Sequence, residues 1–373
     1  MLRSVFSVSF LVLGSLAVSG ASLDSFVQTN LTSDLPGVAA HQDPNLVNPW
    51  GIVAAPTSPF WISDNGSGLS TLYNGKGEAI PLVVTIPPPF GSSGPAAPTG
   101  IVFNSTSGFS GSHFIFGTEN GTLASWASGA TATLQATSPG GSVYKGLALG
   151  NNGSADLLYA TNFGLGRVDV FDSSFHPMTV AGGFKDTTLP SGYAPFNIQS
   201  IGGNLYVTYA LQDPAKHDDV AGAGHGFVDV FDMNGNLLRR LTSNGVLNSP
   251  WGLALAPAGF GGFGGDLLIG NFGDGEIHAY DPSSGALIGT LDSAGGSPVS
   301  IEGLWGLAFG NGTNEQGLGT LYFTAGIAGS GAKEDHGLFG SIAPTPEPAP
   351  AALLGGTGLA ALLFLVARRR STH

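Results

Sequence analysis

A short phrase recurs six times along this chain: NPWGIVA at Asn48, PTGIVF at Pro98, YKGLAL at Tyr144, PFNIQS at Pro195, SPWGLAL at Ser249 and GLWGLAF at Gly303. Aligned on Trp50, Thr99, Lys145, Phe196, Trp251 and Trp305, the copies lie 49, 46, 51, 55 and 54 residues apart. A self-similar period of this length means that the chain repeats one supersecondary unit, and that each unit needs its neighbours to bury its surfaces.

Each copy of the phrase continues in the same way. A second apolar run follows, as in PFWIS, HFIFG, DLLYA, NLYVTYA, DLLIG and TLYFTA. A polar turn (DNGSG, ENG, NFGLG, NFGDG) leads to a third run such as LSTLY, TLASW, RVDVFD, FVDVFD or EIHAYD, and a fourth often closes the unit, as in NLLRRLTS. Short apolar runs bounded by Gly, Pro, Asn and Asp are strands, and four antiparallel strands per unit make a propeller blade. The composition agrees, with 60 Gly, 24 Pro and only 10% charged residues, well under the roughly 25% of ordinary soluble domains. The expected fold is all-β, a six-bladed β-propeller over residues 22–342. Its sixth unit lacks a fourth strand, and Ser25 to Asp34 is expected to supply it by pairing with Gly337 to Ile342. The repeated Trp-Gly is read as blade-to-blade packing.

The two ends have a different character. Residues 1–21 carry Arg3, an apolar run from Val5 to Val18 and the small residues Ser19, Gly20 and Ala21, the order of a secretory leader cleaved by signal peptidase. Residues 343–350 form a Pro-rich linker containing Pro346, Glu347 and Pro348. Residues 351–373 hold an uncharged apolar run, at the lower limit for a membrane-spanning helix, and then Arg368, Arg369 and Arg370. This order resembles the bacterial PEP-CTERM sorting signal, which implies an exosortase as processing partner and membrane attachment only through the C-terminal helix. There is no cysteine, which excludes disulfides and thiolate chemistry, and a net charge of −13 argues against phosphate-based binding of nucleic acid.

The central repeats resemble six-bladed propellers of the NHL and gluconolactonase type. NLVNPWG, SPFWISDNG, KHDDVAG, GFVDVFD and HGLFGSI are similar to an uncharacterised family of exported bacterial propellers. That resemblance implies the fold and leaves the activity open. Gluconolactonase-like propellers hold a divalent cation on the ring axis through Glu, Asp and Asn. The repeat alignment puts Asp64, Glu119, Asn162 and Asn271 at equivalent turns and Asn48 and Glu302 just before their inner strands. Asp64, Glu119, Asn162, Asn271 and Glu302 are therefore the candidate axial set, with calcium as the candidate ion. The same Asn and Asp residues also suit tight turns for backbone reasons alone.

Two turns on that face are long, Leu211 to Gly226 in unit four and Ala325 to Gly337 in unit six. Both contain Ala-Lys, a carboxylate pair and a later His-Gly, so Lys216, His217, Asp218, Asp219, His225, Lys333, Glu334, Asp335 and His336 are the candidate ligand-binding residues. No hydrolase elbow, His-Glu-x-x-His or phosphate loop is present. Two functions remain open: an exported binding or scaffold protein taking an exopolysaccharide or other surface ligand, and a metal-dependent lactonase-like or lyase-like enzyme.

Overall fold

In a computed structural model, which describes residues 25–345, the chain forms six sheets arranged as blades around one axis. The inner strands are Pro49–Ala54, Pro98–Phe103, Tyr144–Asn151, Tyr193–Ile201, Pro250–Leu255 and Leu304–Phe309, which are the six copies of the repeated phrase. Antiparallel neighbours follow outward in chain order, as in Phe60–Asp64, Leu69–Tyr73 and Val84–Thr85 of blade one. Second strands such as Phe60–Asp64 and Leu267–Asn271 are buried throughout, because a blade is covered on both faces by its neighbours, and they read as continuous apolar runs. Outer strands such as Thr133–Thr137 and Leu287–Thr290 are exposed or half-buried along their whole length and mixed in polarity.

The ring closes as expected from the sequence. Phe26–Ser33 pairs antiparallel with His336–Pro344, from Phe26 opposite Pro344 to Ser33 opposite Leu338, and thereby completes blade six. A short parallel strand, His41–Gln42, lies outside it and covers the new edge. Phe26 inserts between blades five and six, with ring centroids 5.1 Å from Phe260 and 5.8 Å from Phe263. Asp34 fastens the end of the strand, accepting from Gly337 N at 2.8 Å and meeting His336 Nδ1 at 2.7 Å.

Between blades, the glycine of each repeat is the point of contact. A Cβ on Gly51 would lie 2.5 Å from Thr99 O and one on Gly100 would lie 2.6 Å from Leu147 N, so only glycine permits this approach. Blade four has Asn197 at that place, and its Nδ2 donates across to Trp251 O at 2.7 Å. Threonines repeat the cross-link: Thr99 Oγ1 donates to Tyr144 O at 2.7 Å, Thr161 Oγ1 to Phe196 O at 3.1 Å, and Thr324 Oγ1 to Trp50 O across the seam. Apolar clusters fill the wedges, for example Trp61, Phe114 and Phe116 between blades one and two. Among the described residues no helix is long and apolar enough to cross a membrane. The leader, the Pro346-Glu347-Pro348 motif and the C-terminal apolar run lie outside the described residues.

Candidate functional site at the ring mouth

The repeat places one side chain at the start of each inner strand, and those of blades one, three, four, five and six gather on the axis, while Thr99 of blade two bonds Tyr144 O. Trp50, Trp251 and Trp305 pack across blades as the sequence suggested, and they do so on one another. Trp50 stacks on Trp305 with centroids 3.4 Å apart, Phe272 stacks on the far face of the group at 4.0 Å from Trp305, and Trp251 stands edge-on to Trp50 and Trp305 at 6.0 and 5.8 Å. Phe163, Phe196, Ala194 and Ala210 complete the cluster. The three indoles are only 1–4% exposed, and none of their Nε1–H groups has a partner. They form a floor that plugs the channel. Beneath it lies a cavity of about 30 Å³, bordered by Gly51, Gly100, Asn197 and Trp251, about the volume of one water.

Lys145 is the exception in this ring of aromatic residues. Its side chain is 1% exposed and its Nζ lies 4.7 Å from the centroid of Trp50 and 5.9 Å from that of Phe163, a desolvated cation over two π faces. It forms an ion pair with Glu119 Oε1, and Asp218 Oδ1 is 3.7 Å away. Glu119 Oε2 accepts from Asn65 Nδ2 at 2.9 Å. Asp218 also meets His217 Nδ1 at 2.8 Å, and that contact holds the imidazole above and the carboxyl below their ordinary values.

The blade-six loop reaches the same mouth. Asn48 Nδ2 donates to Glu334 Oε1 at 3.1 Å, and burial, reinforced by the charge of Glu119, pushes the Glu334 carboxyl up to about 7. Burial also raises Asp219, whose Oδ2 has no partner, and Asn48 Oδ1 is likewise buried and unsatisfied. Lys333 Nζ stands 4.7 Å from the Phe272 centroid, at the opposite end of the aromatic stack from Lys145. Residues from blades one, two, three, four and six thus surround one small polar chamber above an aromatic floor.

The remaining candidates lie elsewhere or serve the backbone. Lys216 occupies a left-handed turn position with φ 58°, and His225 Nδ1 bonds Val220 O within its own loop. Asp335 Oδ2 caps Ala332 N at 2.6 Å, and His336 belongs to the seam with Asp34. Of the axial set, only Glu119 reaches the chamber. Asp64 is sealed in blade one with neither oxygen bonded, and burial raises its carboxyl far above the usual range. Asn162 and Asn271 tie their own turns to the preceding segments, through Val143 N and Ser142 Oγ for Asn162 and through Asn248 N and Val246 O for Asn271. Glu302 Oε2 accepts from Ala328 N at 3.2 Å. Among the described residues, Glu119, His217 and Asp218 bring ligand atoms within 4.8 Å of one another, as do Asp274, Glu276 and His278; neither Asp64 nor Glu302 joins such a group.

Lys145 is absent from the sequence-derived candidates although it carries the centre of the site. The available signal was its type: a lysine where the aligned repeats have Trp, Phe or Thr. A separate depression of about 830 Å³ opens on the outer part of blade three, between Arg167–Phe171 and Pro177–Lys185, and shares no residue with the mouth.

No protein-family model matches the chain. Solved structures share its architecture: a streptogramin B lyase superposes with a TM-score of 0.50 at 11% identity, covering 87% of this chain and 98% of that one. A protein of unknown function from Bacteroides thetaiotaomicron also gives 0.50, at 12% identity, covering 86% of this chain and 73% of that one. At such identities the shared property is the propeller fold. Sequence relatives are much nearer. One uncharacterised protein of Acanthamoeba polyphaga mimivirus is 34% identical over 331 residues, covering 84% of this chain and 78% of its own length. A second from the same virus is 35% identical over 332 residues, covering 84% of each chain. With identity sustained over most of both chains, this propeller belongs to the same protein family as these two mimivirus proteins.

Proposed function

We propose that the chain is an exported binding protein that takes a polyhydroxylated ligand, such as a segment of exopolysaccharide, at the mouth of its ring. The observation that carries this reading is the meeting of two long loops, distant in sequence, over one chamber. The blade-four loop brings His217, Asp218 and Asp219, and the blade-six loop brings Glu334, to the pair Lys145–Glu119. The mouth leaves both donors and acceptors unpaired, the indole Nε1–H groups of its floor among them. Asp219 Oδ2 and Asn48 Oδ1 are buried acceptors without partners, and hydroxyl groups, which both donate and accept, suit a site with unpaired atoms of both kinds. Export follows from the leader in residues 1–21, and release from the membrane from exosortase action at Pro346-Glu347-Pro348.

Three tryptophans under the chamber provide the readout. Titration with neutral and acidic oligosaccharides is expected to change the indole emission of the parent, with the response lost in Asp218→Asn and Glu334→Gln. Binding of such oligosaccharides that both variants retain in full, or an absence of binding across the set, overturns the reading.

A second reading, a metal-dependent enzyme, draws on the spacing of Glu119, His217 and Asp218. These residues would hold a divalent ion such as calcium. The Lys145 ammonium already engages Glu119 and lies near Asp218, so an ion must displace it. Thermal melting with and without calcium separates the readings, since an ion held by these groups raises the midpoint of the parent and leaves a Glu119→Gln, Asp218→Asn variant unmoved.

A further inference from the structure

The turn and third strand of blade five read Asp274-Gly275-Glu276-Ile277-His278. In an extended chain alternate residues share a face. Ile277 and Ala279 enter the apolar core with no exposed surface, so Glu276 and His278 project to the other side, and the turn folds Asp274 over them. Ligand atoms of Asp274, Glu276 and His278 come within 4.8 Å of one another, and His278 Nε2 lies 3.7 Å from Glu276 Oε2.

The state of His278 is the second observation. The residue is 1% exposed, its Nδ1 is engaged by Thr290 Oγ1 at 2.9 Å, and its Nε2 is buried with no hydrogen-bond partner. A buried polar atom without a partner is costly, and no nearby protein group bonds it. With the proton on Nδ1, held by Thr290, the Nε2 lone pair is directed toward the carboxylates. An outer hydrogen bond that sets the tautomer of a ring whose other nitrogen stays open is how metal-ligating histidines are held. Asp274 is itself fixed, with Oδ2 accepting from Asn248 Nδ2 at 3.1 Å and Asn271 Nδ2 at 3.5 Å, and Oδ1 from Glu276 N at 3.1 Å. Ser300 Oγ donates to Asp274 O at 2.7 Å, which ties the turn to the segment leading into blade six.

We propose that Asp274, Glu276 and His278 form a binding site for a first-row divalent cation of the zinc type, distinct from the ring mouth. One imidazole nitrogen and two carboxylate oxygens suit such an ion, at bond lengths of about 2.0–2.2 Å, and a water completes its shell. The ion would fix the blade-five turn, which Ser300 already ties to the lead-in of blade six.

The test is zinc binding to metal-free protein by equilibrium dialysis, carried out in the parent, His217→Asn, Glu276→Gln and His278→Gln. Removing one of three protein ligands is expected to weaken zinc at this site at least tenfold in Glu276→Gln and His278→Gln, while His217→Asn retains it. Because His278 is buried and its variant is open to misfolding, cupric ion is also added to the folded His217→Asn protein, where the electron paramagnetic resonance spectrum is expected to show coupling to one nitrogen. Absence of stoichiometric zinc in the parent, its loss in His217→Asn with retention in Glu276→Gln, or a copper spectrum without nitrogen coupling overturns the proposal.

Discussion

The ammonium of Lys145 in blade three lies 4.7 Å from the centre of the Trp50 ring in blade one, and Glu119 of blade two holds it there. Three blades therefore meet at one ion pair on the axis. A cation of this kind cannot be desolvated without compensation, which it obtains from one carboxylate in direct contact, a second nearby and two aromatic faces.

Glu119→Gln is accordingly expected to destabilise the fold. Breaking a buried pair by removing one partner costs about 3–5 kcal/mol, and the low end applies because Asp218 remains 3.7 Å away. Lys145→Met combined with Glu119→Gln should recover most of the loss, since no charge is then left uncompensated. Urea denaturation of the two single variants and the double variant measures the coupling; additive effects would mean that the pair is not interacting as described.

The architecture was legible because its causes are local and periodic. Five of the six inner strands have a glycine facing the next blade, so Gly51, Gly100, Gly146, Gly252 and Gly306 mark the period, with Asn197 in that place in blade four, and the missing fourth strand of blade six pointed to Ser25 to Asp34. The site was legible only in part. Equivalence in a repeat tells which face a turn occupies and not how far it reaches toward the axis, so Glu119 arrives at the chamber while Asn162 and Asn271 are used by their own backbones. Lys145 and His278 were overlooked for a related reason. Their importance comes from burial against Trp50, Glu119 and Thr290, partners contributed by other strands, and no short motif records those contacts.

The interblade glycines give a paired experiment. In Gly51→Ala the new methyl group meets backbone on the inner strand of blade two, and overpacking of this kind costs roughly 1–3 kcal/mol. Gly140, in an outer turn with nothing within 4 Å of an added Cβ, is expected to accept alanine with little change. Equal melting points for the two variants would show that the inner glycines are not setting the distance between blades.

The seam should be the weakest joint against truncation. Removing Ser25–Asp34 strips the partner from His336–Pro344, takes Phe26 out of the pocket beside Phe260 and Phe263, and exposes a strand edge. Loss of solubility is expected, with Phe26→Ala as the milder form at about 3–5 kcal/mol. Soluble, monomeric truncated protein that melts like the parent would refute closure by this strand.

The last expectation concerns pH. Glu334 titrates near 7 in the folded protein, against 4.5 for an ordinary glutamate, chiefly because burial penalises its charged form. A carboxyl raised by folding contributes its full share of stability below its unfolded value and loses it as pH rises through the folded one. The parent should therefore lose stability between about pH 4.5 and 7 from this group, by about 1–3 kcal/mol once the partial wetting of the loop is allowed for. Asp229, raised to about 6 by burial beside Arg240, acts in the same direction, so the parent curve alone does not isolate Glu334. Glu334→Gln removes only the one term, since its amide oxygen still accepts from Asn48 and carries no charge. Near pH 4 the parent and the variant should unfold at similar denaturant concentrations, and by pH 8 the variant should be the more stable. A stability difference that stays constant across this range, or that favours the parent at pH 8, would mean that Glu334 is solvated at the mouth and not held against Asn48.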